Sequence, residues 1–132
     1  MDFRDERDAL KAASVFGLVS DLAMATRIAK AARQCHWGVH NFDQAEALIR
    51  HAREKAPVLI ILDLDTREAE SFKVLKELRS NADVKGVAVI GYISGTRENL
   101  KDEARRAGCH RVYGKTELMR DLENLLARYA PS

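Results

Sequence analysis

The chain has 132 residues, of which 46% are hydrophobic and 32% are charged, a composition typical of one soluble globular domain. Its 22 Lys and Arg side chains nearly balance 20 Asp and Glu side chains, so the formal net charge of +2 gives no electrostatic basis for binding nucleic acid or membrane. No apolar run approaches the roughly 18–20 residues of a membrane span. Cys35 and Cys109 lack the spacing of metal ligands and are predicted to be free thiols. We therefore expect a cytoplasmic protein.

Residues 1–13 carry alternating charges and only two large apolar side chains, Phe3 and Leu10. This pattern predicts a frayed or short surface helix, with a docking arm for a partner as the alternative. We therefore divide the chain into an N-terminal extension over 1–13 and a single domain over 14–132.

Apolar segments of two kinds alternate along the rest of the chain. Continuous apolar runs, typical of strands buried on both faces, occupy residues 15–19, 57–63 and 87–93. Residues 37–39 and 111–113 are predicted to be short strands, the former near the sheet edge because polar residues surround it. Apolar residues at helical spacing follow each run. These stripes are Met24, Ile28, Ala31 and Cys35; Ala45, Leu48, Ile49 and Ala52; Phe72, Val74, Leu75 and Leu78; Leu100, Ala104 and Ala107; and Leu118, Leu122, Leu125, Leu126 and Tyr129. The alternation predicts an α/β, flavodoxin-like, doubly wound parallel sheet with strand order 2-1-3-4-5 and helices on both faces.

Short polar signals predict the ends of the helices. Asp43, followed three residues later by Glu46, resembles a capping box for the second helix. Residues 66–70 are predicted to form a polar loop before the third helix. Thr96 is predicted to cap the fourth helix, and Gly108 to end it.

Three charged residues follow strands of the predicted sheet: Asp21 the first, Asp63 the third and Lys115 the fifth. The carboxyl ends of parallel strands meet at one edge, so we expect these side chains to lie close together. Two neighbouring carboxylates repel each other unless a cation lies between them, and Mg²⁺ is often held by one or two carboxylates. With a lysine beside them, they predict a site suited to phosphoryl transfer.

Each of these residues also has a structural interpretation. Asp63 could cap the loop after its strand, Asp21 could cap the first helix, and Lys115 could be a solvated surface lysine. Asp65, two residues beyond Asp63, is predicted to be a solvated loop carboxylate, with a supporting charge near the site as the alternative.

Over about residues 14–130 the chain resembles the receiver domains of bacterial two-component response regulators. The resemblance depends on the segment Pro-Val-Leu-Ile-Ile-Leu-Asp-Leu at 57–64, on Asp21, and on an Ala-Gly pair that leads seven residues on to Lys115. It implies a signalling domain that is not an enzyme, beyond reacting with small phosphodonors and losing its own phosphoryl group.

The resemblance also implies roles for the site residues. Asp63 would accept a phosphoryl group from a sensor histidine kinase or a phosphotransfer protein, and Lys115 would pair with that group or with the carboxylate. Asp21 and Asp63 would bind the Mg²⁺ that the reaction requires.

Several positions depart from the family pattern. The first of the usual two acids after strand 1 is Ser20, so only one acid remains. Thirty residues past the acceptor, where the family has Thr or Ser, the chain has Ile93, and Ser94 follows as a weak candidate for the missing hydroxyl. The aromatic switch position is Val112, with Tyr113 beside it on the opposite face.

These residues leave three hypotheses open. The first is a stand-alone receiver that signals to an effector protein, or forms a homodimer, through its fourth helix, fifth strand and fifth helix, with no direct contact to nucleic acid or membrane. The second is a phosphorylation-independent pseudo-receiver that acts as a protein interaction module, which the departures favour. The third, a small flavodoxin-like enzyme or cofactor binder, is disfavoured because residues 19–23 offer an acid and no glycine for a phosphate-binding loop.

Overall fold

The computed structural model describes residues 13–81, 84 and 86–129. The predicted N-terminal extension therefore lies outside the described residues except for Ala13, whose carbonyl oxygen accepts a hydrogen bond from the Gly38 N–H at 3.0 Å. Among the helices of the described residues, none has the length and apolar character to cross a membrane.

Five strands and five helices alternate within these residues. The strands are β1 (Ser14–Leu18), β2 (Gly38–Asn41), β3 (Leu59–Asp63), β4 (Ala88–Ile93) and β5 (Arg111–Gly114). The helices are α1 (Leu22–Gln34), α2 (Ala45–Glu54), α3 (Glu68–Ser80), α4 (Glu98–Ala107) and α5 (Lys115–Arg128). All strand pairs are parallel, and their order is β2-β1-β3-β4-β5. The predicted fold class and strand order are thus confirmed.

The sheet separates two apolar cores because alternate residues of each strand face opposite sides. Ile60 and Leu62 of β3 pack with the apolar faces of α2, α3 and α4, whereas Leu59 and Ile61 pack with those of α1 and α5. All four side chains are fully buried. This double burial explains why the segment that ends at Asp63 is a continuous apolar run.

Three predicted helix ends are wrong. Helix α2 begins after Gln44 rather than Asp43, and its first amide, Ala45 N–H, donates to the carboxylate of Glu70 at 2.6 Å. Helix α3 begins at Glu68, inside the predicted polar loop. The remaining correction concerns α4.

Helix α4 begins after Arg97, and no side chain caps it. Thr96, the predicted cap, contributes only its carbonyl oxygen, which accepts the Glu98 N–H at 2.9 Å. The other end of α4 is as predicted, because Gly108 ends the helix with φ of 121°, a conformation that a side chain disfavours.

Candidate functional site

The three charged residues predicted to meet do lie at the carboxyl edge of the sheet. Asp21 immediately precedes α1, Asp63 is the last residue of β3, and Lys115 is the first residue of α5. The Lys115 ammonium forms an ion pair with Asp21 Oδ2. Asp21 Oδ1 accepts the Met24 N–H at 3.1 Å, so Asp21 also has the helix-capping role that was its structural alternative.

The ion pair changes the ionisation of both partners. The Lys115 ammonium and then the Met24 N–H lower the pKa of Asp21, because both stabilise its charged form. Asp21 raises the pKa of Lys115, and the charges of Asp63 and Asp65 raise it further. Lys115 is therefore the positive charge shared by several carboxylates at this edge.

The loop that carries Asp21 is fixed to the neighbouring edge strand. The side-chain amide of Asn41, the last residue of β2, accepts the Val19 N–H at 3.0 Å and donates to the Val19 carbonyl oxygen at 2.8 Å. Phe42 N–H donates to the Gly17 carbonyl oxygen at 2.8 Å. These bonds satisfy the backbone groups of Val19 and tie the chain just before Asp21 to the end of β2.

The Asp63 carboxylate is covered by the loop that follows it. Its Oδ1 accepts the N–H groups of Asp65 at 2.9 Å and Thr66 at 3.0 Å, and its Oδ2 accepts the Thr66 hydroxyl at 2.6 Å. Asp63 is only 1% exposed. The predicted acceptor thus also caps its own loop, and Thr66 is a neighbour that sequence reasoning missed.

The backbone of Asp63 is held from two sides. The buried hydroxyl of Ser71, on α3, donates to the Asp63 carbonyl oxygen at 2.8 Å. The next residue, Leu64, donates its N–H to the Tyr92 carbonyl oxygen at 3.0 Å. A side chain at Gly91 would overlap Leu64, since a Cβ there would lie 2.8 Å from Leu64 Cδ1. Glycine at this position therefore lets the β3–α3 loop pack against β4.

The prediction that Asp65 is a solvated loop carboxylate is wrong. Both of its oxygens accept the Ser94 N–H, at 3.0 and 2.8 Å, and its Oδ2 also accepts the Ser94 hydroxyl at 2.8 Å. Arg97 lies 4.0 Å from Asp65 and 3.5 Å from Glu68. Ser94, the weak candidate for the site hydroxyl, therefore bonds to Asp65, and the two loops after β3 and β4 are joined.

Tyr92 lies directly opposite Asp63 in the sheet, a position that counting residues from Asp63 along the sequence did not assign to it. The register of the sheet pairs Tyr92 with Asp63, so the two side chains lie on the same face. Ile93, which the residue count placed at the family's hydroxyl position, instead packs in the core on the opposite face. The missing information is the strand register, which the apolar runs do not specify to one residue.

The other residues that differ from the family pattern lie on the faces of the sheet that the sequence predicted for them. Val112 packs in the core shared with α2, α3 and α4, and Tyr113 packs on the opposite face with α1 and α5. The Arg111 guanidinium lies 5.3 Å from the centre of the Tyr113 ring, and burial raises the pKa of Tyr113. Ser20 is exposed at the start of the loop that carries Asp21.

The site has oxygen ligands of the kind that Mg²⁺ prefers, but the described side chains would not fill its coordination shell. Asp21 and Asp63 offer the hard carboxylate oxygens that this ion prefers, and with Asp65 they form a cluster of negative charge. Within residues 13–81, 84 and 86–129, no group of three or more His, Cys, Asp and Glu side chains could hold a metal ion. An Mg²⁺ ion at this edge would be held by these two carboxylates, with water completing its coordination.

Solved structures with similar folds cover most of the chain at low identity. A response regulator from Hahella chejuensis is 14% identical, with a TM-score of 0.78 over 89% of this chain and 94% of that one. A response regulator protein from Burkholderia multivorans is 17% identical, with a TM-score of 0.74 over 91% and 96%. The receiver domain of a sensor histidine kinase from Pseudomonas aeruginosa PAO1, solved with magnesium in its active-site cleft, is 16% identical, with a TM-score of 0.74 over 91% and 98%.

Sequence comparison adds no family assignment to this structural likeness. No protein-family model matches the chain, and no curated protein matches it. The likeness is carried by the five-stranded parallel sheet, its strand order and its helices, and it spans nearly the whole of each neighbour. The chain has the fold of the receiver domains of response regulators.

Proposed function

We propose that this chain is a receiver of a two-component phosphorelay that accepts a phosphoryl group on Asp63. The observation that carries the proposal is the meeting of Asp21, Asp63 and Lys115 at the carboxyl edge of the sheet. A phosphoryl-transfer site needs groups that bind a metal ion and a positive charge near the phosphoryl oxygens. Asp21 and Asp63 would supply the first, and Lys115 the second.

In this proposal the donor is a phosphohistidine of a sensor histidine kinase or a phosphotransfer protein. One carboxylate oxygen of Asp63 forms a bond to phosphorus as the P–N bond to the histidine breaks. The bonding electron pair leaves on the imidazole nitrogen, which then takes a proton from water. Mg²⁺ held by Asp21 and Asp63 would neutralise charge on the phosphoryl oxygens, and the Lys115 ammonium would pair with one of them.

The test uses beryllofluoride, a mimic of an acyl phosphate, added with Mg²⁺ to the isotopically labelled chain. We expect the amide resonances around Asp21, Asp63 and Lys115 to shift, because the mimic binds a carboxylate oxygen and recruits the neighbouring charges. The measurement is a two-dimensional amide NMR spectrum with and without each component.

The control is Asp63→Asn, which keeps an oxygen to accept the loop N–H groups but removes the charged acceptor. This variant should give no response to beryllofluoride. A wild-type spectrum without any Mg²⁺-dependent change would overturn the phosphoacceptor proposal.

A second candidate function is a pseudo-receiver that binds partners without phosphorylation. The observation that favours it is the cover over Asp63, whose carboxylate takes three hydrogen bonds from its own loop and is almost completely buried. An unresponsive wild type in the beryllofluoride experiment is the outcome that this candidate expects.

In either function the chain would signal by binding another protein, and we propose that it does so through the face formed by α4, β5 and α5. This face would bind an effector protein or a second copy of the chain. Sedimentation analysis with and without beryllofluoride tests the homodimer. A phosphoacceptor that dimerises should sediment faster with the mimic, and an unchanged monomer would exclude the homodimer as the output.

A further inference from the structure

Tyr92 has a buried hydroxyl group that the fold does not use. Its side chain is 1% exposed, at the carboxyl end of β4. Among the described residues, no protein atom forms a hydrogen bond with this hydroxyl. A buried polar group without a partner costs free energy, so such a group in a folded protein calls for an explanation.

The surroundings of the hydroxyl are the proposed phosphoryl site. Tyr92 is paired with Asp63 across the β3–β4 ladder, and both side chains lie on the same face. Burial, and then the carboxylates of Asp63, Asp21 and Asp65, raise the pKa of Tyr92. The hydroxyl therefore keeps its proton at neutral pH and can act as a hydrogen-bond donor to an anion.

The two residues that follow Tyr92 do not supply a hydroxyl to Asp63. The Ile93 side chain is apolar and lies in the core on the other face of the sheet. The Ser94 hydroxyl already donates to Asp65. Among residues 92–94, the unpartnered phenol is thus the one hydroxyl that lies beside Asp63 and is free to donate.

We propose that the Tyr92 hydroxyl donates a hydrogen bond to an oxygen of the phosphoryl group carried by Asp63. This inference rests on the function proposed above and assigns to a tyrosine the contact that Ile93 and Ser94 do not provide. This contact would stabilise the modified state of the chain relative to the unmodified state, in which no acceptor meets the geometry of a hydrogen bond with the Tyr92 hydroxyl.

The experiment compares Tyr92→Phe with wild type. Removing a buried hydroxyl that has no partner should not destabilise the unmodified chain and should raise its thermal midpoint, because the cost of burying the group disappears. The same variant should bind beryllofluoride about 10- to 100-fold more weakly, since a hydrogen bond to a charged group is lost. If Tyr92 only fills the core, Tyr92→Phe should bind beryllofluoride as tightly as wild type, whatever its thermal midpoint.

The matched control is Tyr113→Phe. Tyr113 is also buried and packs on the same face of the sheet, yet Asp63 is not among the charges that act on its hydroxyl. Its replacement should leave beryllofluoride binding within about twofold of wild type.

A second measurement uses wild type labelled with ¹³C at the Cζ atom of tyrosine, whose chemical shift reports hydrogen bonding of the hydroxyl. The Tyr92 resonance is assigned by its loss in Tyr92→Phe. It should shift when beryllofluoride is added, whereas the Tyr113 resonance should not.

The outcomes separate the two proposals. If the amides around Asp63 and Lys115 respond to beryllofluoride but the Tyr92 Cζ resonance does not, and Tyr92→Phe binds the mimic as well as wild type, the role of Tyr92 is wrong and the phosphoacceptor proposal stands. If no resonance of wild type responds, both proposals are wrong.

Discussion

At the scale of single residues, Lys115 and Asp21 set the charge state of the carboxyl edge. The pKa of Asp21 is lowered, so its share of the stability is complete above its ordinary pKa of 3.8 and is lost as the pH falls through the folded value. The pKa of Lys115 is raised, so its share is complete below 10.5 and is lost as the pH rises through the folded value. The ion pair therefore stabilises the fold across the pH range between these two ordinary values.

Lys115→Met tests this coupling. We expect the pKa of Asp21 to rise, because the ammonium that stabilises its charged form is gone, while the Met24 N–H remains. The measurement is an NMR titration of the side-chain carboxyl carbon of Asp21. Lys101→Met is the control, because Lys101 pairs with Glu98 instead and its loss should leave Asp21 unchanged. Identical titration of Asp21 in wild type and Lys115→Met would contradict the assignment.

At the scale of elements, α3 holds the end of β3 in place. Ser71 is completely buried, and its hydroxyl reaches across to the carbonyl oxygen of Asp63. That oxygen belongs to the last residue of β3. Through this hydrogen bond, α3 fixes the backbone of the candidate acceptor.

Ser71→Ala should lower the free energy of unfolding by about 1–3 kcal/mol, because a buried carbonyl oxygen loses its donor. Urea unfolding followed by circular dichroism measures this change. Ser80→Ala is a matched control, since Ser80 also donates to a backbone carbonyl, that of Lys76, but at an exposed position. If the two variants lose the same free energy of unfolding, the hydrogen bond from Ser71 to Asp63 contributes no more to stability than the exposed one from Ser80.

The elements themselves could be predicted from the sequence, but the first residues of α2, α3 and α4 and the strand register could not. Apolar runs and helical stripes are local patterns and predicted the alternation of strands and helices. The strand order came from the flavodoxin-like arrangement chosen for that alternation, and it is confirmed. The first amide of α2 is instead satisfied by Glu70 of the next helix, a contact between elements that no local capping pattern encodes. The position of Tyr92 opposite Asp63 likewise depends on register. Asp21, Asp63 and Lys115 were predictable as neighbours because topology alone brings them together.

At the scale of the whole molecule, one sheet divides two cores and its central strand serves both. Leu62 of β3 is fully buried against one set of helices, whereas Leu22 at the start of α1 is 80% exposed. Leucine therefore contributes differently to stability at these two positions. Burial of Leu62 contributes to stability, and Leu22 contributes little.

Leu62→Ala should lower the free energy of unfolding by about 2–5 kcal/mol, because it removes buried methyl groups and leaves a cavity. Leu22→Ala should change it by no more than about 0.5 kcal/mol. Denaturant unfolding of both variants measures the difference. A small loss at Leu62 would be incompatible with a central β3 covered on both faces, and a large loss at Leu22 would be incompatible with the exposure of that side chain.

The cover over Asp63 has a kinetic consequence. If Asp63 is the phosphoacceptor proposed above, a phosphoryl donor would reach its Oδ2 atom while the Thr66 hydroxyl, 2.6 Å away, has moved off it. The apparent rate of phosphorylation would then be the intrinsic rate multiplied by the fraction of molecules in which Thr66 has moved away. Thr66 would act as a gate, and substitutions there would tune how readily the chain responds without altering any group that touches the donor.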